Sequence, residues 1–434
     1  MNRTRNASLQ LLFGWLNLAL AVPSIYLMFG MPLVMRQYGW SGTEIGLFQL
    51  AGLPAVFKFL LAAPVQRVRL GRGHLVHWLL LLGVALLVLY WLIGRNNLIE
   101  QRLALFAMTF AISIIATWMD IPLNALAVQW LPRSEHLRAG SIRSAALFLG
   151  AIIGGGAMLL VQARLGWQAP FVIMAAALLI GVLPLLALRK RAELQAPEAA
   201  PASGLVADWV SFFSQPAARQ WTWLLLSAFP FIGAAWLYLK PLMLDQGLPM
   251  QEVAWLVGIV GGATGAVCSL IGGRLAGMLG TGRAIVIYLL AALLALSLLT
   301  VTVALGLGRG WLLASVLALA ASMGAVSALM FGLTLFFSRR QRSASDYGLQ
   351  SSLFVITRLA APVAAGLLLD RLGYAGMLAC LSGGLLLALL LAWRVRRRIA
   401  DSTEALLAVE HPGSTSPPTS DRQTLRDAGE TPRP

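Results

Sequence analysis

The sequence predicts an all-α membrane protein with twelve transmembrane helices in two pseudo-symmetric six-helix bundles. Of its 434 residues, 59% are hydrophobic and only 12% are charged, with a mean hydropathy of +0.78. Soluble proteins carry about 25% charged residues. Its apolar runs reach the ~20 residues that a helix needs to cross a bilayer. Segments of the first half also recur in the second, as in transporters built from repeats.

Twelve apolar runs are long enough to span a bilayer. Because helices surrounded by lipid and protein are apolar on all sides, these spans are defined by hydropathy and not by periodicity. The predicted spans are residues 10–34, 44–66, 75–94, 103–130, 141–163, 168–188, 220–243, 251–275, 283–305, 310–337, 348–369 and 374–393.

A polar segment rich in Pro, Ala, Ser and Gly separates six spans from six, as expected of a linker. We expect a short interfacial helix near its end, with Trp209, Phe212 and Phe213 facing lipid. The C-terminal tail is rich in Pro, Ser, Thr and Asp and is expected to be disordered. The predicted domains are an N-terminal bundle (1–188), a cytoplasmic linker (189–219), a C-terminal bundle (220–398) and a disordered cytoplasmic tail (399–434).

The net charge of +16 comes from 33 Lys and Arg against 17 Asp and Glu. In a soluble protein this excess would suggest nucleic acid as a partner. Here most basic residues lie in the linker and in the short loops after even-numbered spans. By the positive-inside rule both termini are expected in the cytoplasm. We expect no nucleic-acid partner.

The residue types that bind metals or catalyse reactions are scarce. Cys268 and Cys380 lie within apolar runs, so neither a disulfide nor a thiol metal site is expected. The histidines lack acidic or thiol neighbours, and no phosphate-binding loop of the ATPase type is present. No cofactor, no metal and no enzymatic activity is predicted. The four histidines are His74, His77, His136 and His411.

Two charged residues lie deep in apolar runs, Lys58 in span 2 and Asp120 in span 4. A charge near the centre of a bilayer costs at least ~3 kcal/mol and persists only when paired or hydrated. At 1.5 Å per residue, both lie about 13–17 Å from the same membrane face. We predict that they meet and take part in proton coupling or gating. The alternative is an ion pair with a purely structural role.

Two arginines lie in other spans. Arg358 is near the middle of span 11, where its guanidinium could hold a substrate carboxylate in a bidentate manner. The alternative is a clamp between helices that donates to backbone carbonyls. Arg143 lies a few residues into span 5, and we expect its side chain to extend to the cytoplasmic surface.

The six-plus-six arrangement, with Gly/Arg loops after spans 2 and 8, resembles the major facilitator superfamily. Residues 43–64, 120–125 and 347–353 are similar to segments of the AmpG-type muropeptide permeases, a group whose shorter members include siderophore permeases. The chain has Asn124 where that group has a second acid, and Phe148 where an arginine is usual. The superfamily's loop Asp is replaced by Gln66 and Gly277.

The resemblance implies a secondary active transporter of the bacterial inner membrane. Proton-driven import of a siderophore or its ferric complex is the favoured expectation. Muropeptide permease is the first alternative, and a drug or metabolite exporter of the same superfamily is the second. A membrane enzyme would need acids or histidines clustered at one membrane face, which the sequence lacks. The expected partners are a small-molecule substrate, protons and the lipid bilayer, and the protein is expected to be monomeric.

The same resemblance makes spans 1, 4, 7 and 10 the lining of a central cavity. It brings spans 2 and 4 together and opposes spans 5 and 8 across the two halves. Their small residues, 154–156 and 261–262, are expected to face each other there. Aromatic residues near the ends of spans could instead be interfacial anchors. The candidate substrate contacts are Arg358, Asn124, Tyr26, Trp118 and Trp236.

Overall fold

The computed structural model describes residues 2–194 and 204–410, and within these ranges it is almost entirely helical, with no strand. Eleven helices in these ranges are long and apolar enough to cross a membrane. They are Thr4–Gln37, Gly42–Arg67, His74–Arg95, Arg102–Trp130, Arg133–Leu165, Gln168–Lys190, Ala218–Asp245, Met250–Leu279, Thr281–Ala304, Arg309–Phe336 and Arg340–Ala408.

The last of these segments is two spans joined at a bend. Gly373 adopts φ 66° and ψ −178°, a conformation that glycine reaches at no steric cost. It divides the segment into spans 11 and 12, which gives the twelve predicted spans. The final helix then continues to Glu410, although the sequence analysis expects disorder from residue 399. Ile399 and Thr403 are buried, so this extension packs on the C-terminal bundle. Residues 411–434 lie outside the described ranges.

Each half has its own hydrophobic core. The first core is centred on side chains such as Leu16, Leu79 and Leu123, which come from spans 1, 3 and 4. The second is built by spans 7 to 12 in the same manner. The structure therefore consists of two six-helix units.

Span 2 changes its helical form immediately before its buried lysine. Residues Gln49–Phe57 form a 3₁₀-helix that contains Pro54, and an α-helix then runs over Lys58–Arg67. Proline has no N–H to donate to the preceding turn, and its ring clashes with that turn. Lys58 is thus the first residue of a new α-helical segment.

The two halves meet along spans 2 and 11, and along span 5 with spans 8 and 10. Spans 2 and 11 run antiparallel in a constant register. The Ser352 hydroxyl accepts from the Phe59 amide at 2.9 Å, and the Ser345 amide donates to the Gln66 side chain at 3.4 Å. A Cβ on Gly140 of span 5 would overlap the backbone of Gly332 in span 10, so only glycine permits this approach.

The halves are closed at one end, which we call the basic end. It carries the start of span 1, the end of span 12 and the described loops after the even-numbered spans. There Gln66 Nε2 donates to the Gln341 carbonyl at 2.8 Å, and Gln129 Nε2 donates to the Ser343 hydroxyl at 3.1 Å. His136 packs its ring edge-on against Phe336 of the opposite half.

The short helix predicted near the end of the linker is present at Leu205–Phe213, and we call it the linker helix. The predicted orientation of its aromatic side chains is wrong. Phe212 is fully buried, and Trp209 packs against Phe59 of span 2 with ring centroids 5.3 Å apart. Val206 and Val210 are exposed instead.

Candidate functional site

Lys58 and Asp120 form an ion pair inside the bundle. Lys58 Nζ lies 2.6 Å from Asp120 Oδ2, and the two side chains are only 10% and 14% exposed. The structure thus contains the contact that their shared depth predicts. A pair compensates the cost of each isolated charge in an apolar bundle.

Two further residues complete this site. Arg143 of span 5 lies 3.3 Å from Asp120 Oδ1, and the Tyr347 hydroxyl of span 11 donates to Asp120 Oδ2 at 2.7 Å. Arg143 also donates to the Tyr347 hydroxyl. We call Lys58, Asp120, Arg143 and Tyr347 the Asp120 network. Tyr347 is its only member from the C-terminal half.

The sequence expectation for Arg143 is wrong. Its residue is 9% exposed, and its guanidinium lies over the rings of Phe331 and Tyr347, at 4.9 and 5.2 Å from their centroids. Arg143 lies only a few residues from the cytoplasmic end of span 5, which suggested that its side chain extends to the surface. Span 5 instead turns this side chain toward the interface between the halves, where Asp120 and two aromatic faces stabilise it.

Asn124 supports the network from the turn after Asp120. Its Nδ2 donates to the Asp120 backbone carbonyl at 2.8 Å and to Asp120 Oδ1 at 3.0 Å. The residue is 2% exposed. In this conformation Asn124 orients the carboxylate and has little surface for a ligand, in contrast to its predicted role as a substrate contact.

Arg358 lies on span 11, which packs against span 2 of the opposite half. We infer that its side chain lines the space between the halves on the side away from the basic end, and we call this space the cleft. Arg358 follows Ser352 by six residues, which carries it about 9 Å further from the basic end. Its side chain is exposed although it lies deep in the molecule, within electrostatic reach of Lys58. Among the described residues it has no hydrogen bond or carboxylate partner, so the alternative interhelical clamp is not formed. Arg358 thus offers a free cation to the cleft.

The predicted aromatic contacts are not brought to this network. Tyr26 is fully buried in the N-terminal bundle, where its hydroxyl donates to Gln162 at 2.6 Å. Trp118 packs on Trp78 with centroids 5.4 Å apart. These two rings are already in contact with the N-terminal core. Tyr26 therefore offers no surface to a ligand in this conformation, whereas Trp118 is half-buried.

Trp236 is half-buried, and its ring lies against Gly261 of span 8. It is the one predicted aromatic contact that lies in the C-terminal half. Spans 5 and 8 do pack against each other, but the prediction that residues 154–156 face residues 261–262 is wrong. Gly262 packs against Ile152 of span 5, whereas Gly154 packs against span 1.

The charges of this region do not cancel. Lys58, Arg143 and Arg358 carry three positive charges and Asp120 carries one negative charge, which leaves two positive charges. An anion entering the cleft would compensate this excess. Protonation of Asp120 would increase it. The arrangement can therefore bind an anion and link its binding to a proton.

A cluster of three serines lies beside the network. Ser144 of span 5 shares hydrogen bonds with Ser269 of span 8 at 2.8 Å and with Ser327 of span 10 at 2.6 Å. All three are buried, and either hydroxyl of each pair could be the donor. The cluster satisfies polar groups where the two halves pack most closely.

Two members of the network were missed by sequence reasoning. The sequence places Arg143 near the membrane surface. It marks Tyr347 only as part of a segment similar to the muropeptide permeases. A tyrosine in an apolar run does not stand out by hydropathy, since its ring is compatible with burial. The described residues contain no group of three His, Cys, Asp or Glu side chains that could hold a metal, and both cysteines are free.

Two six-helix halves that close at one end over a charged, buried cluster define a multi-pass membrane transporter. The family model of the Major Facilitator Superfamily matches residues 12–345. The chain therefore belongs to this superfamily, whose members are transporters rather than enzymes.

The curated relatives include the anhydromuropeptide permeases of Escherichia coli strains K12 and O157:H7. Each is 28% identical to this chain over 265 residues, which cover 58% of this chain and 52% of the relative. The chain thus spans about half the length of the curated relatives it matches.

Similar solved structures support the fold. A bacterial homologue of the iron transporter ferroportin in an outward-facing state has a TM-score of 0.66 at 17% identity, covering 89% of this chain and 98% of that chain. The Escherichia coli fucose:proton symporter has a TM-score of 0.67 at 16% identity, covering 91% and 98%. At such identities the likeness concerns the fold alone.

Proposed function

We propose that the protein is a proton-coupled permease that takes up an anionic, muropeptide-type solute across the bacterial inner membrane, with both termini in the cytoplasm. The observation that carries this proposal is the excess of positive charge beside the cleft. Arg358 is exposed and has no anionic partner in the described part of the chain, and Lys58 and Arg143 share one carboxylate.

A substrate carboxylate would bind Arg358 first, because that guanidinium has no competing partner among the described residues. Its negative charge would then compete with Asp120 for Lys58. A carboxylate that loses a cationic partner accepts a proton more readily. Substrate binding and Asp120 protonation thus favour each other, and such coupling is reciprocal between the two ligands.

Proton binding would also weaken the contact between the halves. A protonated Asp120 no longer pairs with Lys58 as an anion and holds the Tyr347 hydroxyl more weakly. Since Tyr347 belongs to the C-terminal half, its release favours opening at the basic end. Substrate and proton would then leave on the same side.

The substrate class is taken from the name of these relatives. Anhydromuropeptide permeases support a muropeptide-type substrate, and muropeptides usually carry carboxylates that suit Arg358. Siderophore import, which the sequence analysis favours, has no support from these relatives. Because the match covers about half of each relative, their substrate is offered here as a proposal for this chain.

The test is uptake by purified protein in liposomes with an imposed inward proton gradient. A labelled anhydromuropeptide is offered beside a labelled ferric siderophore panel. We expect accumulation of the muropeptide that a protonophore abolishes. Accumulation of a siderophore alone would overturn the substrate class and keep the coupling.

Outward movement of a solute driven by the inward proton gradient, without uptake, would favour the exporter alternative. For this reason the same vesicles are loaded with each solute and followed for efflux. Uptake that is insensitive to the protonophore would contradict the proposed role of Asp120. The assay with neutral sugars in place of the anionic solutes serves as the control for charge selectivity.

A further inference from the structure

The linker helix, Leu205–Phe213, is bound to both halves at the basic end. Asp208 lies 2.8 Å from Arg342 as an ion pair whose side chains are 6% and 17% exposed. Arg342 Nη1 also donates to the Ser211 hydroxyl at 2.6 Å. A charge pair this buried is costly to break, because each separated charge loses its compensation.

A second arginine ties the same helix to span 11. Arg339 Nη1 donates to the Ser211 hydroxyl at 3.0 Å and to the Ser211 carbonyl at 3.2 Å. Its other donors grip Asp346, with Nη2 2.7 Å from Oδ1 and Nε 2.8 Å from Oδ2. Asp346 is 1% exposed and lies in the first turn of the span 11 helix. The linker helix is thus fixed to the loop between spans 10 and 11.

That loop, residues 339–342, is also where the N-terminal half attaches. Its backbone carbonyls accept from Gln66 at Gln341 and from Gln129 at Arg340. On the N-terminal side, Trp209 of the linker helix packs against Phe59. The backbone of this loop therefore binds the N-terminal half, and its arginine side chains bind the linker helix.

We propose that the linker helix is a latch that holds the basic end closed. Its Asp208 and Ser211 fix the two arginines, and these fix the carbonyls that Gln66 and Gln129 bind. The linker helix itself also contacts the N-terminal half through Trp209 and Phe59. Opening toward the basic end then requires Gln66 and Gln129 to leave the loop carbonyls that the Asp208–Arg342 pair holds in place.

The test measures opening without any substrate, so its failure is distinguishable from failure of the proposed transport function. Cys268 and Cys380 are first replaced by serine. Ala344→Cys then reports on the basic end, because Ala344 is 1% exposed and packs into the core of the opposite half. A polar thiol reagent is applied to the protein in nanodiscs, where both faces are accessible.

We expect Asp208→Asn and Arg342→Gln each to speed labelling of the reporter about tenfold, which corresponds to about 1.4 kcal/mol. The effect of the double variant should be less than additive, since each single variant already removes the Asp208–Arg342 pair. Val210→Ala is the matched control on the exposed face of the same helix and should leave the rate unchanged.

Unfolding is monitored separately with Ala292→Cys, a fully buried residue in the C-terminal core that should stay unreactive. If Asp208→Asn exposes that reporter too, Ser211→Ala provides the readout, because it removes only one hydroxyl. Unchanged labelling of the Ala344→Cys reporter in all these variants would overturn the latch. So would an additive effect in the double variant.

Discussion

The Tyr347 hydroxyl donates a hydrogen bond to Asp120 Oδ2 at 2.7 Å across the boundary between the two halves. The same hydroxyl accepts from Arg143. The protonation state of Asp120 therefore affects a contact that holds the two halves together. This relationship makes the network testable at each of its members.

Asp120→Asn should abolish proton-driven accumulation, with at least a tenfold loss of initial uptake, the order expected for a proton-transfer group. Exchange of labelled for unlabelled substrate should persist, since it needs no net proton movement. Uptake in liposomes under a proton gradient and under equilibrium exchange measures both. Asp245→Asn, the same change at an exposed position bonded to Tyr374, is the control. Full proton-driven uptake by Asp120→Asn would refute its coupling role.

Tyr347→Phe keeps the ring and removes the one hydrogen bond that Asp120 receives from the opposite half within residues 2–194 and 204–410. A hydrogen bond to a charged group contributes about 1.5–3 kcal/mol, so the closed basic end should lose at least about tenfold in relative population. Thiol labelling at the basic end measures this shift. Tyr374→Phe makes the same change at an exposed contact and should have no effect. Equal labelling in both variants would argue against a cross-half role for Tyr347.

Arg358→Gln should raise the KM for an anionic substrate at least tenfold, because a charge-assisted contact of about 1.5–3 kcal/mol is lost. Arg358→Lys should recover part of this loss by keeping the charge without the bidentate geometry. Concentration-dependent uptake gives both constants. Lys240→Gln, at another exposed cation of the cleft-forming spans, is the control. An unchanged KM in Arg358→Gln would remove Arg358 from the binding site.

Gly140→Ala should prevent full closure of the basic end, because the added Cβ would overlap the Gly332 backbone. We expect uptake to fall at least tenfold and labelling at the basic end to rise, since backbone cannot yield as a flexible side chain can. Gly383→Ala is the matched control, as its Cβ would meet no atom within 4 Å. Normal uptake by Gly140→Ala would show that this approach is dispensable.

Hydropathy predicts the twelve spans because the bilayer imposes their length and composition. It also identifies Lys58 and Asp120, since a charge inside an apolar run is conspicuous. It does not give the rotation of a helix that is apolar on every side, and for this reason Arg143 was assigned to the surface. Tyr347 does not violate hydropathy at all, and only its contacts reveal its role.

The same limit explains the linker helix. Its aromatic residues suggested lipid contact, and the sequence offered no means to pair Asp208 with an arginine more than a hundred residues away. The sequence also predicts cavity positions for Tyr26 and Trp118, and the structure packs both on the N-terminal core. Their spans were expected to line a cavity, but each ring faces into its own bundle.

The cluster of Ser144, Ser269 and Ser327 has a mechanical consequence. A hydroxyl both donates and accepts, so each contact in the cluster can reverse its direction by rotation of a hydrogen. The two halves can tilt past one another here while their polar groups exchange partners in place. The cluster would then stay hydrogen-bonded while the halves rock about it. No buried hydroxyl of the cluster would lose its partner during the transport cycle.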